Sequence, residues 1–173
     1  MAKEIERKFL VLCDRWQAFV AANAPVGKSY CQGYIATVVA GQSVRVRIAG
    51  DQGFLTIKGP SQGQQGLTRT EFEYDIPVED AQEMLETLCE RPFIAKIRYR
   101  IPAQDVVWEV DEFQGDNAGL MVAEVELTAE EQLFARPSWL GEEVSGDAKY
   151  YNSNLVKQPY RTWARSDARL SQL

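Results

Sequence analysis

Hydrophobic and polar residues alternate along most of this chain, a pattern typical of β-strands whose two faces meet different surroundings. In Glu4-Ile5-Glu6-Arg7-Lys8, the charged side chains at positions 4, 6 and 8 share one face of a strand. The same period of two returns in later segments. The predicted strands are residues 3–12, 30–39, 43–49, 53–58, 69–76, 95–101, 106–113 and 120–127.

Two helices are expected between these strands. Asp14 is a favourable N-cap residue for a helix over residues 15–24. Residues 78–90 have helical periodicity, with their apolar residues on one side. That side carries Ala81, Met84, Leu85 and Leu88.

The segment after the last predicted strand is less regular. Thr128 and Glu131 form a capping-box pattern, which predicts a third helix through Ala135. From Pro137 onward, irregular or helical structure is expected. About eight strands with a few helices predict an α+β fold whose antiparallel strands form a closed barrel or a sandwich.

Length and charge limit the possible functions. The chain has 173 residues, which fits one domain. Its net charge of −6 argues against nucleic acid as a partner. The sequence has no apolar run that could span a bilayer and no leader peptide, so a cytoplasmic location without membrane binding is expected.

The residue types that are missing also narrow the chemistry. Histidine is absent, which excludes histidine-activated nucleophiles and histidine-ligated metals. Cys13, Cys31 and Cys89 lack zinc-site spacing and are interpreted as reduced structural thiols. Carboxylates, Lys, Arg, Tyr and a bound metal must therefore carry any reaction.

The charged face of the predicted strands can be interpreted in two ways. It can be the solvated face of an ordinary antiparallel sheet. Alternatively, it can line a barrel whose apolar outer wall is covered by helices, because both signs of charge crowd nearly every strand. The charged set comprises Lys8, Arg45, Arg47, Lys58, Arg69, Lys96, Arg98 and Arg100 with Glu4, Glu6, Glu71, Glu73, Asp75, Glu109, Asp111, Glu124 and Glu126.

The first strand is the most informative part of this pattern. Glu4 and Glu6 would stand about 7 Å apart on one face, where they repel by about 2 kcal/mol at an effective dielectric near 20. A divalent cation between them would offset this repulsion. Lys8, on the same face, could then hold an anion beside the metal.

These motifs, taken in order, resemble the CYTH domain of the triphosphate tunnel metalloenzymes, and most closely the short bacterial members. Glu4-Ile5-Glu6-Arg7-Lys8 is similar to the amino-terminal ExExK signature of that family. The other similar segments are Arg45/Arg47, Thr56-Ile57-Lys58-Gly59, Glu71-Phe72-Glu73, Lys96/Arg98, Trp108-Glu109-Val110-Asp111, Glu124-Val125-Glu126 and Gly146-Asp147-Ala148-Lys149-Tyr150-Tyr151-Asn152.

The resemblance implies an eight-stranded antiparallel barrel, with a charged interior and external helices, that processes triphosphates with Mg²⁺ or Mn²⁺. Residues 1–156 would form this tunnel domain, and residues 157–173 a helical or flexible extension. The implied metal ligands are Glu4, Glu6, Glu71, Glu73, Asp111, Glu124 and Glu126. The implied substrate-binding residues are Lys8, Arg45, Arg47, Lys58, Arg69, Lys96, Arg98 and Lys149, and the implied catalytic residues are Glu4, Glu6, Lys8 and Glu73.

The leading functional hypothesis is metal-dependent hydrolysis of inorganic tripolyphosphate to pyrophosphate and phosphate. Other activities remain open within the same fold, namely adenylyl cyclase and hydrolysis of thiamine or nucleoside triphosphates. A module that binds organophosphates without turnover is the alternative of a different class. A homodimer is also possible, because the predicted outer wall is apolar.

Overall fold

The computed structural model describes residues 2–36, 39–62 and 67–163. Within these ranges, nine strands form one antiparallel sheet. The strands are β1 (Ala2–Val11), β2 (Gly27–Ile35), β3 (Ser43–Ala49), β4 (Gln52–Lys58), β5 (Thr68–Ile76), β6 (Ile94–Ala103), β7 (Val106–Phe113), β8 (Met121–Glu126) and β9 (Leu140–Glu143). The helices are α1 (Cys13–Asn23), α2 (Val78–Thr87) and α3 (Asn152–Lys157).

The sheet closes on itself through β1. The strand order is β5-β4-β3-β2-β6-β7-β8-β1-β9, and β5 also pairs with β1. One edge of β1 pairs with β8, and the other pairs first with β5 and then with β9. Eight strands therefore form a closed antiparallel barrel, which confirms the predicted α+β barrel and excludes the sandwich. The ninth strand, β9, was not predicted.

Along most of the barrel, the predicted charged face points inward and the alternating apolar face points outward. In the register, Lys8 lies opposite Glu124, and Arg98 lies opposite Asp111. On the outer face, α1 packs Trp16 against an aromatic cluster, at 5.4 Å from the ring of Trp139. Each fully buried apolar side chain of this kind contributes about 1.5–3 kcal/mol. The buried part of this cluster includes Phe9, Val11, Trp108, Val110, Val125 and Trp139.

Helix α2 covers another part of the outer wall. Its residues Ala81 and Leu85 are buried against Val46 of β3. The cover is incomplete, because Ile57 and Phe72, which face each other on β4 and β5, are 41% and 42% exposed. The expectation that helices cover the whole apolar wall is therefore met only in part.

One end of the barrel interior is apolar. Leu10, two residues beyond Lys8 on the same face of β1, packs in a cluster with Ile94, Phe113 and Val122. The C-terminal segment closes this end, since Tyr150, Leu155 and Val156 belong to the same cluster. Tyr160 and Trp163 pack against it from outside. The charged tunnel is therefore limited at this end by an apolar plug.

The predicted starts of two helices were wrong. Helix α1 begins at Cys13 after Leu12, so Asp14 lies in its first turn, where its charge favours the helix dipole without capping. The described residues 128–135 contain no helix. Instead, the side chain of Gln132 accepts hydrogen bonds from the backbone N–H and the hydroxyl of Thr128, at 2.7 and 2.8 Å. Such side-chain bonds compete with the first turn of a helix.

None of the helices in the described part of the chain is long and apolar enough to cross a membrane. The boundary predicted after residue 156 stays a prediction. The last ten residues of the predicted extension, 164–173, lie outside the described residues.

Candidate active site

Seven of the predicted site residues line one cavity inside the barrel, called here the inner cavity. Its charged lining comes from β1, β3, β4, β5 and β8, and its remaining wall comes largely from the C-terminal segment. The charged lining residues are Glu4, Glu6, Lys8, Arg45, Lys58, Arg69 and Glu124. Barrel closure alone brings these distant parts of the sequence together.

Glu4 is paired with basic residues from the neighbouring strands. Lys58 Nζ donates to both carboxylate oxygens of Glu4, at 3.0 and 2.7 Å. Arg69 Nε lies 3.6 Å from the same carboxylate, and Lys58 also pairs with Glu71 at 2.9 Å. Burial nevertheless raises the pKa of Glu4, and its contact with the Glu71 carboxylate raises it further.

Glu6 is the exception among these carboxylates. Its side chain makes no hydrogen bond or ion pair with any residue in the described ranges. Burial raises the pKa of Glu6 to about 7, and repulsion from Glu124 and Glu4 adds to the effect. The attraction of Lys8 and Lys58 offsets only part of this cost. The site therefore holds a carboxylate whose charge is not compensated.

Lys8 is buried beside Glu124, whose Oε1 lies 3.2 Å from its Nζ. Burial opposes protonation of Lys8, but the nearby carboxylates Glu124 and Glu6 outweigh it, so the pKa of Lys8 lies above its usual value. The same balance holds for Glu124, whose pKa lies well below normal because Lys8 and Arg98 outweigh its burial. Both groups are therefore charged at neutral pH.

Asp111 neutralises two buried cations on β6. Lys96 Nζ donates to Asp111 at 2.6 Å, and neither side chain is exposed. Arg98 binds the same carboxylate through two N–H groups, both at 2.7 Å, and also pairs with Glu109. Burial works against the charged form of Asp111, but Arg98 and Lys96 outweigh it and lower its pKa. Burial and the neighbouring Arg98 lower the pKa of Lys96 to about 8.

Glu73 organises the arginine pair on β3. Its Oε2 accepts hydrogen bonds from Thr56 at 2.8 Å, Arg47 at 3.2 Å and Arg45 at 3.4 Å. The Nε atoms of Arg45 and Arg47 are buried and have no hydrogen-bond partner among the described residues. These two donors are therefore available to an anion.

The remaining predicted residues lie elsewhere. Glu126, opposite Glu6 in the register, lines a second cavity with Arg100 and Glu109. Glu4, Glu6 and Glu124 line this second cavity as well as the inner cavity. Lys149 lines neither cavity; its Nζ lies 4.1 Å from the centre of the Trp163 ring. Of the predicted residues, those that line neither cavity are Arg47, Glu71, Glu73, Lys96, Arg98, Asp111 and Lys149.

Sequence reasoning also missed part of the inner cavity. Tyr34, Ser145, Tyr151 and Asn152 line it, although none was predicted as a site residue. The only signal was the tail motif around Tyr150-Tyr151-Asn152, because hydrophobic periodicity does not reveal which loop residues fold back onto a barrel mouth.

The donor chemistry of the cavity fits a hard divalent cation. No three acidic or cysteine side chains in the described ranges already form a ligand cage, and Glu4 and Glu124 are engaged by basic residues. Glu6, however, has no partner among the described residues, and its raised pKa reflects burial and repulsion that a bound cation would offset. Carboxylate-only ligation suits Mg²⁺ and Mn²⁺.

The raised pKa of Glu6 predicts how stability depends on pH in the metal-free protein. Between pH 4.5 and about 7, the unfolded chain has released a proton that folded Glu6 still holds, so stability should fall as pH rises. Urea unfolding in EDTA at several pH values measures this slope. Glu4 and Glu126 add slopes of the same sign, so the test compares wild type with Glu6→Gln.

As pH rises, the free energy of unfolding should decline less in the Glu6→Gln variant than in wild type. Glu112→Gln, which changes an exposed residue of β7, serves as the matched control. It should keep the wild-type dependence of stability on pH. Equal slopes in wild type and Glu6→Gln would contradict the assignment of an uncompensated charge to Glu6.

Comparison with known proteins identifies the family of this chain. It is 48% identical over 163 residues to the inorganic triphosphatase of Acetivibrio thermocellus, covering 94% of this chain and 99% of that protein. It is 38% identical over 160 residues to the inorganic triphosphatase of Nitrosomonas europaea, covering 88% and 96%. The crystal structure of the inorganic triphosphatase NE1496 is similar with a TM-score of 0.58 at 33% identity, covering 90% of this chain and 95% of that one. A sequence model of the CYTH domain matches residues 2–160, and the chain therefore belongs to the CYTH domain family.

Proposed function

We propose that this protein is a metal-dependent hydrolase that cleaves inorganic tripolyphosphate to pyrophosphate and phosphate. The observation that carries the proposal is the inner cavity, where an uncompensated glutamate of β1 faces cations from several strands inside a closed barrel. The names of the two curated relatives support the same activity.

The basic residues of the cavity would bind the phosphates. Arg45 offers a buried Nε without a partner, and the guanidinium group suits phosphate oxygens. Lys8, Lys58 and Arg69 line the same cavity as further cations. Arg47 and Arg98, which line neither cavity and are held by Glu73 and Asp111, would act as further cations.

Family membership implies a divalent metal, and we assign Mg²⁺ or Mn²⁺. Glu4, Glu6 and Glu124 would hold it, with Glu126 close by in the second cavity, which these three carboxylates also line. When bound, such a metal neutralises phosphate charge and lowers the pKa of a bound water. A second metal at Glu71, Glu73 or Asp111 is less consistent with the ion pairs that already engage these three carboxylates.

In the proposed reaction, the oxygen of a water molecule attacks a terminal phosphorus. The bond from that phosphorus to the bridging oxygen breaks, and pyrophosphate leaves. Such a transfer needs mainly in-line positioning and neutralised charge, which a ring of fixed cations supplies. Glu73 is a poor base, because Arg47, Thr56 and Arg45 outweigh its burial and lower its pKa. We therefore assign Glu73 to holding the two arginines.

A substrate assay tests this proposal. The purified protein is incubated with tripolyphosphate, ATP or thiamine triphosphate, each with Mg²⁺, Mn²⁺ or EDTA. Phosphate, pyrophosphate and cyclic AMP are then measured. The expected result is phosphate release that requires a divalent cation and is fastest with tripolyphosphate. Cyclic AMP formation would favour a cyclase, and saturable binding without turnover would favour a binding module.

A cytoplasmic location, a homodimer and the absence of nucleic acid and membrane partners stay predictions. So does the division into a tunnel domain of residues 1–156 and an extension of residues 157–173. A deletion after residue 156 that leaves turnover and stability unchanged would support this boundary.

A further inference from the structure

Three groups surround the ammonium group of Lys8. The Oε1 atom of Glu124 lies at 3.2 Å, and the backbone carbonyl of Tyr150 accepts a hydrogen bond at 3.3 Å. The ring of Tyr151 has its centre 5.6 Å from Nζ, within the range of cation–π attraction. An ammonium carries three N–H donors, so two are used here and one is left for the cavity.

Lys8 has an alternative partner close by. Glu6 lies two residues away on the same face of β1, and both side chains line the inner cavity. The Glu6 carboxylate nevertheless forms no ion pair within the described ranges. The contacts from Tyr150 and Tyr151 lie on the C-terminal segment, and they hold the lysine beside Glu124 rather than Glu6.

Backbone hydrogen bonds, rather than contacts of the ring, hold Tyr151 in position. Its N–H donates to Ala148 at 3.1 Å, and its carbonyl accepts from Asn154 and Leu155 at 2.9 and 3.0 Å. The neighbouring Tyr150 and Leu155 anchor the segment in the apolar plug. Tyr151 itself is only partly buried, and its hydroxyl has no hydrogen-bond partner among the described residues. The fold therefore holds the segment without needing this side chain.

The ring also borders two spaces. Tyr151 lines the inner cavity and also a third cavity, which is formed with residues 39–43 and with α3. Tyr34 and Arg69 line both spaces as well. Tyr151 thus stands where an anion passing between the two cavities would meet Lys8.

We propose that Tyr151 is a positioning residue for the polyphosphate substrate, and that it acts through Lys8 by holding the ammonium group beside Glu124 with its free N–H directed into the inner cavity. The proposal rests on the proposed function for the identity of the anion. The ring carries the effect, because the hydroxyl makes no hydrogen bond to the described part of the chain.

The test removes the ring and, separately, only the hydroxyl. In Tyr151→Leu, the dissociation constant for tripolyphosphate in EDTA, measured by calorimetry, and the KM with metal should both rise by roughly tenfold, the scale of a partly desolvated cation–π contact. The kcat should change by less than about twofold, because ground-state and transition-state binding are weakened equally. Tyr151→Phe should keep the wild-type dissociation constant and the wild-type KM.

A double-mutant cycle separates action through Lys8 from direct binding. Tyr151→Leu should have no further effect on the metal-free dissociation constant in a Lys8→Met background. Tyr74→Leu, an exposed tyrosine on the outer face of β5, is the matched control and should bind as wild type. Thermal melting of each variant checks folding, with Tyr151→Gln as a second ring-free variant.

Several results would overturn the proposal. These are a folded Tyr151→Leu with wild-type affinity, a Phe variant as weak as the Leu variant, or an undiminished effect in the Lys8→Met background. Unfolding of both ring-free variants would show a structural role instead. If wild type binds tripolyphosphate in EDTA but never hydrolyses it, the proposed function fails, while the binding measurements still decide the role of Tyr151.

Discussion

Replacing Glu6 with glutamine is expected to lower tripolyphosphate turnover by about a thousandfold, which corresponds to several kcal/mol of lost metal-assisted stabilisation. Glu6 is the carboxylate of the inner cavity without a partner among the described residues, so it is the ligand most available to a cation. The same change removes repulsion with Glu124 and Glu4. The metal-free variant should therefore be at least as stable as wild type at neutral pH.

The prediction is specific because turnover should fall while the stability of the metal-free protein should not. Steady-state phosphate release with Mg²⁺ or Mn²⁺ gives the first quantity, and urea unfolding in EDTA gives the second. Glu4→Ala should also abolish turnover, but at a cost in stability, because Lys58 would lose a partner. The control variant Glu112→Gln, at an exposed residue of β7, should keep the wild-type turnover and the wild-type stability. Turnover within tenfold of wild type in Glu6→Gln would refute the metal-ligand assignment.

Replacing Asp111 with alanine is expected to lower the free energy of unfolding by about 3–5 kcal/mol, the cost of leaving buried charges without a partner. Lys96 and Asp111 are both fully buried, and Arg98 depends on the same carboxylate. The lowered pKa of Asp111 gives the sign of its pH dependence. Its contribution is present above the pKa of the unfolded chain and is lost as pH falls through the lower, folded-state value.

The measurement is equilibrium unfolding in urea, repeated at neutral and acidic pH. Asp116→Ala offers a matched control, because Asp116 pairs at 3.0 Å with Arg161, whose side chain is 66% exposed. An exposed pair of this kind contributes at most about 1 kcal/mol. Equal destabilisation by the two substitutions would show that Asp111 does not act as a buried counterion. Activity of any folded Asp111→Ala protein should fall as well, since Arg98 loses its orientation.

The strands were predictable because their signal is local. Most strands of the barrel repeat a charged inner face and an apolar outer face, and a period of two is visible in the sequence itself. Residues 43–49 were predicted with the bounds that the structure has. The short strand β9 escaped prediction because Leu140–Glu143 becomes a strand only by pairing with the end of β1.

The errors have physical causes as well. At Thr128, the side chain of Gln132 accepts the backbone N–H that Glu131 would accept in a capping box, and no helix forms there. Leu88 was expected in the buried side of a helix, but α2 ends at Thr87, and Leu88 is 55% exposed. Just after α2, Cys89 and Glu90 pair with Ile35 and Tyr34 of β2, a contact that only the folded chain offers.

The sequence by itself determined the chemistry of this protein: carboxylates and cations on one face of the strands, no histidine, and the order of motifs typical of the CYTH domain. Only the tertiary structure decided which charges are compensated. Asp111 and Glu73 hold cations, whereas Glu6 has no partner among the described residues, and a ring from the C-terminal segment lies beside Lys8. The reason is that charge and periodicity are local properties, while pairing and burial depend on strand register and barrel closure, which join residues far apart in the chain.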